Sequence, residues 1–275
     1  MSDILSHRTL RLRFAVFGQM TKCHPPALLN AITAAFLDAG IPLAMGQEKK
    51  PRPIAHLAYP LPQGAEGLEE WADITLASGI AQSTSELIDK IKPHCPPGLE
   101  PLGIEQVPLH ASPIAELCET AHWLWFCPPE VMPGAMVKFE EFINSDSFQI
   151  SKVGKVEGQK HEKLIEVRHL VLDISWEGAL FRFSTKIIQG QALNPQKIIA
   201  GIMGLDYVAL GGALGKFQRQ RLSFRQDPKL KRHDKYATKL RNLYEDAVLL
   251  ESGPGITICD DDEDGILYLG GLGDD

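Results

Sequence analysis

A chain of 275 residues, 44% hydrophobic and 23% charged, is ordinary for a soluble globular protein and can bury one large core or two small ones. Five cysteines (Cys23, Cys95, Cys118, Cys127, Cys259), with no CxxC pair and no CxxxCxxC triplet, leave no motif for an iron–sulfur cluster and suit a reducing cytoplasm. The net charge of −7 hides a segregation: residues 260–275 hold seven acids and no Lys or Arg, leaving 28 acids against 28 bases elsewhere.

In chain order, Leu10 to Phe17 alternates Leu12, Phe14 and Val16 with Arg11 and Arg13, the pattern of a strand. Pro25 and Pro26 suit the first turn of a helix that carries Leu28, Ile32, Ala35 and Phe36, with Gly40 as its C-terminal cap. Ile54 to Tyr59 and Trp71 to Ala77 read as strands, with Glu70 and Asp73 on the solvent side. Ser83-Thr84-Ser85-Glu86 is a capping box opening a helix that Pro93 stops, and Leu102 to Val107 closes a β-α-β-β-α-β unit.

The order then recurs. Trp123 to Phe126 is an apolar strand whose tryptophans read as core, and a helix is expected over about Gly134 to Ile143. A short strand is placed near Phe148 to Val153. Leu164 to Trp176 and Ala179 to Ile188 form a hairpin across Glu177-Gly178, and Asn194-Pro195 caps a helix that Gly204 ends. Arg219 to Arg225 is the last strand. The fold class is therefore α+β, two tandem ferredoxin-like units over residues 1–110 and 111–226. A basic helix over 227–252 and an acidic, loosely held tail over 253–275 follow. No N-terminal stretch sets a charged region before an apolar core, so no signal peptide is expected. The longest weakly apolar run, Ile198 to Gly215, is broken by Asp206 and glycines, so no membrane span is expected.

Several short segments stand together as a pattern: Arg11 to Phe17, Cys23-His24-Pro25-Pro26, Ala39-Gly40-Ile41-Pro42, Glu48 to Pro53, and Pro60-Leu61-Pro62-Gln63-Gly64. With Val167-Arg168-His169-Leu170 and Gly190 to Ile199 further on, the chain resembles a divergent member of the radical-SAM-linked domain family. These are bacterial proteins of poorly known function encoded beside, or fused to, radical-SAM enzymes. The departures are Pro26 for the family's Asp after the His, Glu48-Lys49-Lys50 for its Gly-Phe-Asn, and a missing Arg before the last helix. The resemblance implies association with a radical-SAM protein, not radical chemistry in this chain.

Three groups of residues are candidates for chemistry. Cys23-His24 and His94-Cys95 fall at the same sheet edge in a β-α-β-β-α-β unit, two thiols and two imidazoles for a tetrahedral metal, weighed against a helix-edge His and small buried cysteines. Gly211 to Lys216 is similar to a P-loop, but its spacing is one residue short and Phe217 stands where Mg²⁺ needs Ser or Thr, so nucleotide hydrolysis is rejected. The basic run includes Lys216, Arg219, Arg221, Arg225, Lys229, Lys231 and Arg232, to which Arg52 is added. It suits phosphate contact, with Phe217, Phe224 and Tyr236 as stacking partners. His24, His56, His122 and His169 show no partner set for nucleophilic catalysis in the sequence.

The first reading is a non-enzymatic cytoplasmic accessory protein acting beside a radical-SAM enzyme through RNA, with no cofactor of its own and no membrane contact. The alternative is a metal-independent RNA endonuclease. By fold analogy it resembles the CRISPR repeat-processing nucleases, with His24 as base and Lys216 beside the scissile phosphate.

Overall fold

The computed structural model describes residues 9–77, 82–108, 110–156, 159–188, 194–205 and 215–230. The alternation of the first segment does build a strand, β1 (Thr9–Val16), with Leu10, Leu12, Phe14 and Val16 buried. α1 (Pro25–Asp38) starts where His24 caps it, and Gly40 leaves it at φ +71°. Then come β2 (Ala55–Leu57), β3 (Glu66–Thr75), α2 (Thr84–Ile91) behind the expected Ser83 capping box, and β4 (Leu99–Gln106). A single turn, α3 (Ile114–Leu117), leads to the second half: β5 (Cys118–Phe126), α4 (Met132–Ile143), β6 (Gln149–Val156), β7 (Gln159–Glu166), β8 (Val171–Glu177), β9 (Leu180–Lys186), α5 (Pro195–Ile202) and β10 (Lys216–Phe224).

Eight of these strands form one mixed, mostly antiparallel sheet in the order β4-β1-β3-β10-β5-β9-β8, with β2 also on β3. The first half runs β4-β1-β3-β2 and the second β10-β5-β9-β8, the same arrangement twice. The sheet is continuous because β10 pairs in parallel with β3 at Gln218↔Glu66 and Arg219↔Gly67, the one parallel pairing among the described strands. The four longer helices share one face: α1 and α2 meet Leu12 and Phe14, and α4 sets Phe139 against Trp125 and Phe181, whereas the single turn α3 meets Asp73 on the other side. α5 buries Ile198, Ile199 and Ile202 in the same core. The compact unit ends at Asp227, and of the chain beyond only 228–230 is described, as one helical turn.

The junction of the halves depends on the proline-bracketed segment. β2 occupies the edge of β3 only at Ala72–Ile74, and the chain then turns away through Tyr59-Pro60-Leu61-Pro62. Prolines cannot donate to a ladder, so β2 stops and the start of β3 stays open for β10. Arg219 arrives there fully buried. Its Nε donates to Glu70 Oε1 at 2.8 Å and its Nη2 to Tyr59 O at 2.8 Å and to Glu70 Oε2. Its Nη1 donates to Pro60 O at 3.3 Å. The guanidinium lies between the rings of Tyr59 and Trp123, 5.4 and 5.3 Å from their centroids.

This corrects two expectations. Glu70 and Asp73 are not on the solvent side: Glu70 takes Arg219, and buried Asp73 takes Arg11 Nε at 2.9 Å and the Ile114 N–H at 2.8 Å. A β-bulge in β10 between Arg219 and Arg221 puts Arg219 and Leu222 on the core side together, which simple alternation hides. The expected strand over 148–153 is half of a separate hairpin, β6–β7, and Leu164–Glu166 belong to it rather than to β8. The corner between β7 and β8 is pinned. The Glu166 carboxylate accepts from Ser147 Oγ and from the Phe148 and Arg168 N–H groups, which hold its pKa down at about 2. Arg168 in turn donates to Ile143 O and Ser145 O.

Each half closes on the same backbone step. Gly98 precedes β4 at φ +94°, and a Cβ there would lie 2.2 Å from Phe17 O, just past β1. Gly215 precedes β10 at φ +80°, and a Cβ there would lie 2.2 Å from Phe126 O, at the end of β5. The outer strands are irregular: Pro101 lies in β4 at a register shift opposite Arg13/Phe14, and β8 bulges around Asp173, whose φ is +49°.

Two measurements test this account. In urea denaturation, Arg219→Met or Glu70→Gln alone destabilises the protein by about 3–5 kcal/mol, because each strands a buried polar partner, whereas Arg219→Met with Glu70→Leu costs less than either. A loss in the double variant equal to the sum of the single losses would mean the two side chains are not a coupled pair. Gly98→Ala and Gly215→Ala each cost more than about 1 kcal/mol, from the left-handed backbone and the carbonyl clash.

Candidate functional site

One face of the second half carries no helix among the described residues, and this helix-free face is assembled by register. On β5, β10 and β9 the matched positions are Phe126 with Lys216, Leu124 with Gln218 and Arg182, His122 with Arg221 and Ser184, and Thr120 with Ser223 and Lys186. Because each strand alternates, these side chains share the face opposite Trp123, Trp125, Phe181 and Phe183. Lys216 pairs with Glu66 at 2.8 Å and lies 5.9 Å from the Phe126 ring centroid. Arg182 approaches Glu177 at 3.6 Å. Both are surface pairs of small energetic value. Arg221 and Lys186 make no ion pair among the described residues.

In the middle of this face His122 is held on both nitrogens. Its Nε2 lies 2.7 Å from Ser223 Oγ and its Nδ1 2.9 Å from Ser184 Oγ. Burial lowers its pKa from the ordinary 6.5, the Arg221 guanidinium lowers it further, and Asp173 on β8 opposes both. A neutral imidazole donates from one nitrogen and accepts at the other, so one serine hydroxyl donates to His122 and the other accepts. One register step along, Thr120, Leu172 and Lys186 border a groove of about 490 Å³ that also takes in Glu116, His169 and Arg225.

The residues singled out in the sequence fare unevenly. Arg219 is a correction: it is a core residue bound to Glu70 and unavailable to a phosphate. Lys216, Arg221, Arg225 and Arg52 are exposed, while Lys229 lies beyond the unit that ends at Asp227. Lys231 and Arg232 lie outside the described residues, as do the glycines at 211–212, the expected basic helix from residue 231 on and the acidic tail. Cys23, His24, His94 and Cys95 do not form a ligand set, since no group of three or more His, Cys, Asp or Glu able to hold a metal occurs among the described residues. His24 accepts the Ala27 N–H on Nδ1 as the cap of α1. The Cys95 thiol donates to Ile91 O at 3.5 Å, and burial raises its pKa. The sequence reading missed His122 with Ser184 and Ser223, because those partners lie 62 and 101 residues away.

The fold and site define a mixed α+β protein built on a large, mostly antiparallel sheet, with one helix-covered face and a polar, cation-bearing face behind the second half. The chain belongs to the family described as an uncharacterized protein conserved in bacteria (DUF2344), which matches residues 10–195. No curated protein matches it. It is similar to a chain in the solved "Crystal Structure of a Cbf5-Nop10-Gar1 Complex", at 12% identity over 78% of this chain and 50% of that one. This chain thus spans half the length of that one, and at a TM-score of 0.33 the likeness carries no argument. Among the described residues no helix is long and apolar enough to cross a membrane.

The His122 environment predicts a pH effect. A folded-state pKa below the ordinary value means the fold favours neutral imidazole, so its contribution is complete above pH 6.5 and is lost as pH falls through and below that value. The stability difference between the unmodified protein and His122→Gln therefore narrows as pH drops from about 7.5 to about 5 in thermal unfolding. A difference independent of pH would show that the fold does not hold the imidazole neutral.

Proposed function

We propose that this protein is an accessory factor that binds RNA on the helix-free face of its second half. The observation that carries the reading is the set of cations Arg182 and Lys186 on β9 and Lys216 and Arg221 on β10, the two strands that flank β5, with half-exposed Phe126 on β5 between them, on a face that no helix covers among the described residues. Cations spaced along a sheet suit a phosphate backbone, and an exposed aromatic ring suits a stacked base. The resemblance to radical-SAM-linked proteins supplies the partner, a radical-SAM enzyme to which this chain would present the RNA. The repeated strand order and the matching Gly98 and Gly215 steps support reading the halves as tandem ferredoxin-like units, a fold that offers its open sheet face to RNA in the RRM.

The endonuclease reading built on His24 has less support. His24 starts α1, on the helix side of the sheet, with its Nδ1 engaged by Ala27, whereas Lys216 lies on the opposite side paired to Glu66. Fluorescence anisotropy with a labelled RNA oligonucleotide tests the binding reading. Affinity falls steeply between about 50 and about 200 mM salt. Arg221→Glu combined with Lys186→Glu weakens binding about tenfold or more and flattens the salt dependence. No binding at low salt, or a double variant that binds as well as the unmodified chain, would overturn it.

A further inference from the structure

RNA binding makes no use of the arrangement at the centre of that face. We propose that Ser223, His122 and Ser184 act as nucleophile, base and orienting hydroxyl, with Arg221 beside them, to hydrolyse an ester that carries a negatively charged group. The inference goes beyond RNA binding and does not depend on it.

Geometry assigns the roles. Ser223 and His122 are half-buried and reachable, whereas Ser184 is 5% exposed, so the attacking hydroxyl is Ser223 and the buried one orients. With Nδ1–H donating to Ser184 Oγ, Nε2 accepts the Ser223 O–H across 2.7 Å, the nucleophile–base contact that covalent catalysis requires. The three residues stand on β10, β5 and β9, the central strand paired on both sides, so they are held by ladders rather than by loops. The lowered pKa of His122 keeps the imidazole ready to accept a proton near neutral pH.

The step balances without any added oxidant or metal. Ser223 Oγ attacks the ester carbonyl, forming the Oγ–C bond, while its proton passes to His122 Nε2. The C–O bond to the alcohol breaks and the leaving alkoxide takes that proton. Water then attacks the acyl-serine through the same base, releasing the acid and restoring the Ser223 hydroxyl. Arg221, opposite His122 and exposed, is placed to face the negative charge that develops on the carbonyl oxygen.

The substrate class follows from the groove one register step away. Lys186 and Arg225 line it together with His169, against Glu116 and Glu119, and its volume of about 490 Å³ is that of a small-molecule site. The two cations make no ion pair among the described residues and suit a carboxylate or phosphate on the ester. The competing explanation is a cross-strand polar ladder that only satisfies His122.

Diisopropyl fluorophosphate, which phosphorylates activated serines, separates the two. Incubated with the full chain and mapped by mass spectrometry, it gives one dominant adduct, on Ser223. The adduct is absent in Ser223→Ala and forms at least about a hundredfold more slowly in His122→Gln. Ser184 is a positioning residue: Ser184→Ala slows labelling about tenfold, and Ser184→Thr, which keeps the hydroxyl, restores it. Mapping the unmodified chain needs no variant, so a folding defect in a mutant leaves that readout intact. Overturning results are the absence of an adduct, labelling spread over many serines, or a rate unchanged in His122→Gln. None of these measurements involves RNA, so they stand or fall separately from the binding result.

Discussion

The ion pair between Arg219 and Glu70 is the constraint on which the rest of the structure depends. Both groups are withdrawn from water, at a desolvation cost of several kcal/mol per ion that their attraction offsets only when every donor is met. Here the donors are met: two carboxylate oxygens and the carbonyls of Tyr59 and Pro60 receive the guanidinium, and two aromatic faces enclose it. Such a pair adds little net stability over an apolar contact, so we read its use as registration. It fixes which stretch of β3 meets β10, and through that contact turns two four-stranded halves into one sheet.

Much of this could be seen in the sequence, for local reasons. Helix caps, proline positions and period-two strands depend on neighbours in the chain, and α1, α2, α5 and β9 sit close to where those signals put them. The β3–β10 seam was hidden because no local signal says that a proline pair ends β2 in order to free an edge for a strand some 150 residues later. Arg219 was hidden for a related reason. In a basic run it looks like any other cation, and only the ladder to Trp123, with Phe217 buried two residues before it, shows that it faces inward.

The motif residues prove to be fastenings. Arg11 locks onto Asp73 beneath the Ile114 turn, Pro60 and its neighbours shape the seam, and Arg168 holds the corner between β7 and β8. Asp227 performs a similar task, accepting the Ser112 N–H and hydroxyl at 2.6 and 3.0 Å and tying the connection between the halves to the end of β10. The candidate site, by contrast, consists of residues with no motif around them. A histidine and two serines from separate strands acquire meaning only through the ladder, so their chemistry was invisible until register was known.

The irregular outer strands have a bearing on how this molecule meets others. A proline in β4 and a left-handed aspartate in β8 spoil the regular row of donors and acceptors that a visiting peptide would need in order to lengthen the sheet. Recruitment by β-augmentation is thus obstructed at either flank. Whatever docks here has to read side chains on a broad surface instead of copying backbone, which makes recognition a matter of chemistry at chosen positions and guards the protein against templated growth into fibres.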